Sequence, residues 1–148
     1  MLPFRAAIAD ATGFRTFYEP KDHLTNGSFE KGFARIFSDK VTETVVLAIS
    51  PRELESFFPP GGKALVKIDV EGYEPALMGG FRDIVTRYQP DILIEVLEGT
   101  PEALEELDFM GIYERYLIRS DGLHKYARLR ADERHRDWLL RARRASAA

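Results

Sequence analysis

Three charged side chains, Lys67, Asp69 and Glu71, alternate through the run KALVKIDVEGYEPALMGGF at residues 63–81, where most of the surrounding residues are aliphatic or β-branched. A run of this kind, bounded by Gly61-Gly62 and by Gly72, predicts a strand covered on both faces, where charge is costly unless it has a task. Side chains alternate along a strand, so the three charges share a side, with both acids toward the carboxyl end. Open α/β sheets hold their ligands at that end. A further acid, Glu95, lies near the end of the run DILIEVL. Carboxylates placed this way can accept a proton from a hydroxyl, hold a divalent cation through oxygen, or stabilise positive charge. Plainer roles compete with these. Glu71 and Glu74 adjoin the start of a helix, where negative charge is worth about 0.3–1 kcal/mol against the dipole. Lys67 can simply pair with Asp69 or Glu71, and Glu95 can sit at a solvated strand end.

The elements that must position these residues follow from the pattern. Residues 42–98 read as TVVLAIS (strand), PRELESFF (short helix with Pro51 in its first turn), ALVKIDV (strand), EPALMGGFRDIVTRY (helix) and DILIEVL (strand). Strands alternating with helices predict βαβ units and a parallel sheet. A right-handed crossover sets the carboxyl ends of residues 64–70 and 92–97 side by side, so Asp69, Glu71 and Glu95 converge on one rim. The helix between them carries Leu77, Phe81, Ile84, Val85 and Tyr88 on one stripe, with Pro75 in its first turn and Gly79-Gly80 as a kink or a point of close packing. Thr100 is placed to cap a helix beginning at Pro101 and Gly111 to end it. IYERYLIR and LHKYARLR, joined through Ser120-Asp121-Gly122, predict an antiparallel hairpin. Upstream, AAIA, a turn near Gly13 and the strand-like FRTFY precede a polar stretch expected to be a long surface loop. The terminal RLRADERHRDWLLRARR has seven arginines around Trp138. It reads as a basic tail or an amphipathic helix that the core can lose without unfolding.

Bulk properties bound the rest. A chain of 148 residues is one domain in length. With no cysteine it has neither a disulfide framework nor a thiolate metal site, which suits the reducing cytoplasm. A net charge of −3 gives no bulk attraction to nucleic acid or anionic lipid. No apolar run approaches the ~20 residues that span a bilayer. His23, His124 and His135 lack metal-ligand spacing, and neither a G-x-S-x-G elbow nor a G-x-G nucleotide loop is present.

The segment KIDVEGYE, the following LMGG and the strand PDILIEV resemble the signature of the FkbM-type S-adenosylmethionine-dependent methyltransferases, at residues 68–72, Glu74, 77–79 and 90–95. AAIADATG, FRTFY and TNGSF are similar to that family's preceding segments, so the resemblance spans roughly residues 6–130. It implies an α/β, Rossmann-like domain over residues 1–130, with a mostly parallel sheet ending in an antiparallel hairpin, followed by a basic tail or helix at 131–148. The domain is expected to be N-terminally incomplete, because the family's glycine-rich turn and ribose-binding acid have no counterpart here. The implied cofactor is S-adenosylmethionine, which this chain alone is expected to bind very weakly or not at all. The implied reaction is methyl transfer to a hydroxyl of a sugar or secondary metabolite, so the partner is a small-molecule or glycan substrate rather than nucleic acid or membrane. Asp69 is implied to orient or deprotonate the hydroxyl, Glu71 to shape the site, Glu95 to support it and Lys67 to keep the acids ionised, with Ala7, Ile8 and Asp10 near the adenine. An exposed edge at ALVKIDV is expected to favour a homodimer. Two other readings stand beside this one: a non-catalytic interaction module, and a metal-dependent enzyme built on Asp69, Glu71 and Glu95.

Overall fold

The chain builds two sheets in succession. A computed structural model describes residues 7–22 and 26–143. In the first sheet β1 (Ala7–Ile8), β2 (Gly13–Pro20) and β3 (Val41–Ile49) are ordered β1-β3-β2. β3 runs antiparallel to β2 along the full register from Gly13↔Ala48 to Pro20↔Val41, and parallel to β1. Between β2 and β3, where the sequence predicts only loop, lies the helix α1 (Lys31–Phe37). Its signal is faint because it buries a single side chain, Ala34. The pair Phe33 and Phe37, with ring centroids 5.3 Å apart at the i,i+4 spacing, is the pattern that marks it.

The second sheet starts after a 3₁₀ turn at Pro51–Phe57. Its strands are β4 (Leu65–Ile68), β5 (Asp91–Glu95), β6 (Tyr113–Arg119), β7 (Gly122–Tyr126) and β8 (Asp137–Ala142), ordered β4-β5-β8-β6-β7. The helices α2 (Glu74–Gly80) and α3 (Arg82–Tyr88) connect β4 to β5, and α4 (Pro101–Glu105) follows β5. The anticipated break is present: α2 and α3 meet at Phe81, just beyond Gly79-Gly80. A Cβ on Gly80 would stand 3.3 Å from the Asp10 backbone and the Pro51 ring, so glycine allows the helix to lie against both. The stripe Leu77, Phe81, Ile84 and Val85 is buried in the core with Ile68, Ile92 and Ile94 from β4 and β5. The hairpin of β6 and β7 turns where Asp121-Gly122 predicts it.

Three expectations are corrected. The sheet is not mostly parallel: among the described residues the ladders β1·β3 and β4·β5 are parallel, and the other four are antiparallel. The segment expected to be a tail or helix supplies β8 at residues 137–142, lying between β5 and β6 with Leu93↔Leu139 and Tyr116↔Leu139 as partners. Trp138, Leu140 and Ala142 are buried while Asp137 and Arg141 are exposed, a period of two that the adjacent leucines conceal in the sequence. Without β8, the facing backbone groups of β5 and β6 would lose their hydrogen bonds. Thr100 does not cap α4 through its side chain. Its hydroxyl donates to the Leu97 carbonyl and accepts from the Leu97 amide, closing the loop before the helix.

Beneath the sheet Arg115 and Glu105 form a buried, two-pronged ion pair, with Nε–Oε1 at 3.0 Å and Nη2–Oε2 at 2.8 Å. Glu105 also accepts the Leu129 amide at 2.7 Å, which ties the segment before β8 to α4. Among the described residues no helix is long and apolar enough to cross a membrane.

Candidate functional site

The parallel register of β4 and β5 pairs Ile68 with Ile94, so the residues that follow, Asp69 and Glu95, emerge side by side. Asp69, Glu71 and Glu95 each bring one carboxylate oxygen to within 4.8 Å of the others. Lys67 Nζ donates to Asp69 Oδ2 at 2.6 Å, and Arg136 Nη1 stands 3.9 Å from Glu95 Oε1. The rim read from the sequence is therefore assembled, but strand alternation does not bring Glu71 to it. β4 ends at Ile68, and Glu71 and Gly72 have φ of +52° and +89°, a left-handed turn. A Cβ at Gly72 would lie 2.9 Å from the Phe33 ring, so that position excludes other residues on both backbone and steric grounds.

The turn is held from three sides. Ser28 Oγ donates to the Glu71 carbonyl at 2.9 Å, and Asn26 Nδ2 reaches Glu71 Oε1 at 3.4 Å. From below, Glu74 Oε1 accepts the Val70 and Gly72 amides at 3.3 and 3.2 Å. Glu74 is wholly buried and its Oε2 has no hydrogen-bond partner among the described residues. A non-glycine residue in the left-handed region costs of order 1 kcal/mol, and these bonds sustain it at Glu71.

The electrostatics of the rim run toward protonation. Burial raises the Glu71 pKa, and the nearby Asp69 and Glu74 raise it further, with Arg136 opposing. Glu95 is raised by burial and then by Glu71 and Asp69, again with Arg136 opposing. Burial raises Glu74 as well, against the lowering effect of the amides it accepts. The Asp69 hydrogen bond and charge raise Lys67, which keeps its ammonium charged. Two of the three rim carboxylates are therefore more basic than a surface glutamate.

Cavities open on either side of Glu71. One, of about 610 Å³, is lined by Ala7, Ile8, Phe17, Phe29, Asp69 and Glu71. The other, of about 680 Å³, has Asn26, Phe33, Phe37, Glu71, Glu95 and Arg136 in its wall. Ala7 and Ile8 thus join the rim, but Asp10 does not line either cavity. Its carboxylate accepts the Tyr73 hydroxyl at 2.6 Å and pairs with Arg15 at 2.5 Å. The Tyr73 bond lowers its pKa most; burial opposes and Arg15 adds to the lowering. That geometry joins the first sheet to α2. Of the histidines, His124 contacts Asp121 and His135 contacts Asp132, while His23 lies outside the described residues.

The methyltransferase FkbM domain matches residues 2–140. The chain belongs to that family. No curated protein and no solved structure gives a significant match. In this FkbM methyltransferase domain the residues that sequence reading missed are those that act on the rim from outside the β4–β5 unit. Asn26 and Ser28 come from the polar stretch read as loop, and Arg136 from the stretch read as a tail. Glu74 was visible only as a helix-opening acid; its burial beneath Val70–Gly72 comes from the fold. The one available signal was local: Glu71-Gly72 before a Glu-Pro helix start predicts a tight turn whose amides need an acceptor.

Proposed function

We propose that the domain transfers a methyl group from S-adenosylmethionine to a hydroxyl of a sugar or secondary metabolite, with β4, α2, α3 and β5 as the central unit of a Rossmann-like methyltransferase fold working in the cytoplasm. The observation that carries this reading is the place of Glu71 in the walls of two cavities at once. The cavity beside Ala7 and Ile8 has a volume within the range of small-molecule sites, roughly 300–1,000 Å³. Its apolar and aromatic side chains suit an adenine ring, and Asp69 and Glu71 suit ribose hydroxyls or a sulfonium charge. When bound, the cofactor supplies a methyl group activated on positively charged sulfur. The protein's part is to hold the acceptor hydroxyl in the second cavity and take its proton. Glu71, made more basic by burial, accepts that proton on its carboxylate. Glu95, in the wall of the second cavity, orients the hydroxyl, and Asp69, fixed by Lys67 in the wall of the first, keeps the negative potential that favours a cationic donor.

The test is transfer of a labelled methyl group to a panel of sugars and polyols, beside calorimetric titration with the cofactor. Glu71→Gln should lower turnover by roughly 10²-fold or more while leaving the circular dichroism unchanged. A folded wild-type chain that transfers no label at any cofactor concentration up to the millimolar range would overturn the proposal and leave an interaction module. The convergence of three carboxylate oxygens within 4.8 Å favours one second reading, a divalent-cation enzyme. Metal-dependent turnover without added S-adenosylmethionine would decide for it.

A further inference from the structure

The second cavity has an apolar wall that the proposed proton transfer does not use. Of the residues of α1 only Ala34 is buried; Phe33 and Phe37 are half-buried and Ile36 is 73% exposed. These three line the cavity of about 680 Å³ that also has Glu71 and Glu95 in its wall. The Phe33 ring lies directly against the turn that carries Glu71, so close that a Cβ on Gly72 would come within 2.9 Å of it. Phe37 continues the surface, tilted 56° to Phe33 with centroids 5.3 Å apart. Helix formation does not account for the pair, because an i,i+4 contact adds little to so short a helix. The walls are α1, the Glu71-Gly72 turn, the end of β5 with the loop after it, and Arg136; among the described residues no outer strand of either sheet contributes.

The polar side of the cavity defines the other half of a ligand. Glu71, Glu95 and Glu98 share the wall with one cation, Arg136, whose Nη1 stands 3.9 Å from Glu95. Three acids against one cation disfavour a phosphate or carboxylate and leave hydroxyls as the groups to be bound. An occupant must therefore offer an apolar face with uncharged hydroxyls at its edge. A saturated ring such as a pyranose or cyclitol has both, since its axial C–H bonds gather on one side while its hydroxyls point outward. An open-chain polyol has no such face.

We propose that Phe33 and Phe37 are specificity-determining residues of the acceptor cavity, forming the surface on which an uncharged, hydroxylated ring lays its C–H face so that a ring hydroxyl reaches Glu71. This rests on the reading of that cavity as the acceptor site. It adds a choice: rings over open chains, and neutral rings over acidic ones.

Saturation-transfer NMR and methyl-transfer kinetics on the full chain, with methyl glucoside, methyl glucuronoside and sorbitol as probes, test this together. The glucoside should bind through its ring C–H protons, with the glucuronoside and sorbitol weaker by roughly tenfold or more. Phe37→Leu and Phe33→Leu keep apolar bulk but lose the flat surface; each should weaken the glucoside by roughly tenfold and leave sorbitol unchanged, while Phe37→Tyr keeps the preference. In turnover the loss should fall on the acceptor KM, with the cofactor dissociation constant unmoved. Phe37-dependent binding of the glucoside by a chain that transfers no methyl group would sink the proposed reaction and leave the aromatic surface standing. Transfer that keeps the wild-type preference for rings in both leucine variants overturns the aromatic surface and leaves the reaction standing. Equal binding of glucoside and sorbitol by the wild-type chain, or binding of none of the probes, also overturns the proposal.

Discussion

Glu105 and Glu95 are both largely covered carboxylates, with side chains 6% and 19% exposed, and each has an arginine for a neighbour. The resemblance ends there. Glu105 meets the guanidinium of Arg115 through two hydrogen bonds and takes the Leu129 amide as a third, so the lowering effect of these partners outweighs burial and holds its pKa below the ordinary carboxylate range. Glu95 has Arg136 only at 3.9 Å and faces Asp69 and Glu71, and its pKa is pushed up. One region of the molecule buries charge with every partner supplied; the other gathers like charges with too few. The first arrangement holds elements together. The second weakens the fold locally and leaves basic oxygens free to act on a ligand.

The largest test of this contrast removes the support of the satisfied region. Truncation after Arg130 deletes β8, which stands between β5 and β6 and carries Trp138 and Leu140, both fully buried. Burial of one such apolar side chain contributes about 1.5–3 kcal/mol, and the two neighbouring strands also lose their hydrogen-bonded partner. Against a total stability of about 5–15 kcal/mol, the shortened chain should show no cooperative thermal transition. A sharp transition within a few degrees of wild type, followed by circular dichroism, would mean that β8 is an accessory.

Arg115→Met comes next. It leaves Glu105 buried without its cation and should cost about 3–5 kcal/mol in urea denaturation. At roughly 2–4 °C per kcal/mol, the midpoint should fall by some ten degrees. Adding Glu105→Leu should recover most of that loss, because the penalty arises from the unpaired charge. A double variant as unstable as the single one would place the loss in packing instead.

How far the sequence announced these two regions differs for a physical reason. The rim was legible because its residues are local: Lys67, Asp69 and Glu71 lie within five residues, and Glu95 is one crossover away, so chain proximity and crossover topology bring them together. The turn at Glu71 replaced strand alternation without changing the convergence. The region around Arg115 was not legible, since Glu105, Arg115 and Leu129 come from α4, β6 and the segment before β8 and meet only in the folded chain. Alternation in DWLLRA is too short, and Leu139-Leu140 too ambiguous, to distinguish strand from helix before β8 pairs with β5 and β6. The short α1 was missed for the same reason, having little apolar face of its own. Asp10, which the resemblance sets near the adenine with Ala7 and Ile8, instead has its carboxylate held by Tyr73 and Arg15.

The smallest expected effect separates the regions by sign. Burial first, and then Glu71 and Asp69, raise the folded-state pKa of Glu95 above its unfolded value, so its contribution to stability is fully present below about pH 4.3 and is lost as pH rises through the folded value. Glu105, with its lowered pKa, behaves in the opposite way: its contribution is present above that pH and lost as acid titrates the folded carboxylate. Glu95→Gln should therefore unfold at a higher temperature than wild type at pH 7.5, by about 1 kcal/mol or less. The advantage should shrink as pH falls through the raised folded-state value and be small at pH 4.5, where wild-type Glu95 is already mostly protonated, and methyl transfer should fall in the same variant. Thermal midpoints of the two proteins at those two pH values decide the matter. A destabilised Glu95→Gln, or a difference that does not change with pH, would mean that Arg136 satisfies Glu95 well enough to make the rim a structural ion pair, and the contrast with Glu105 would fail.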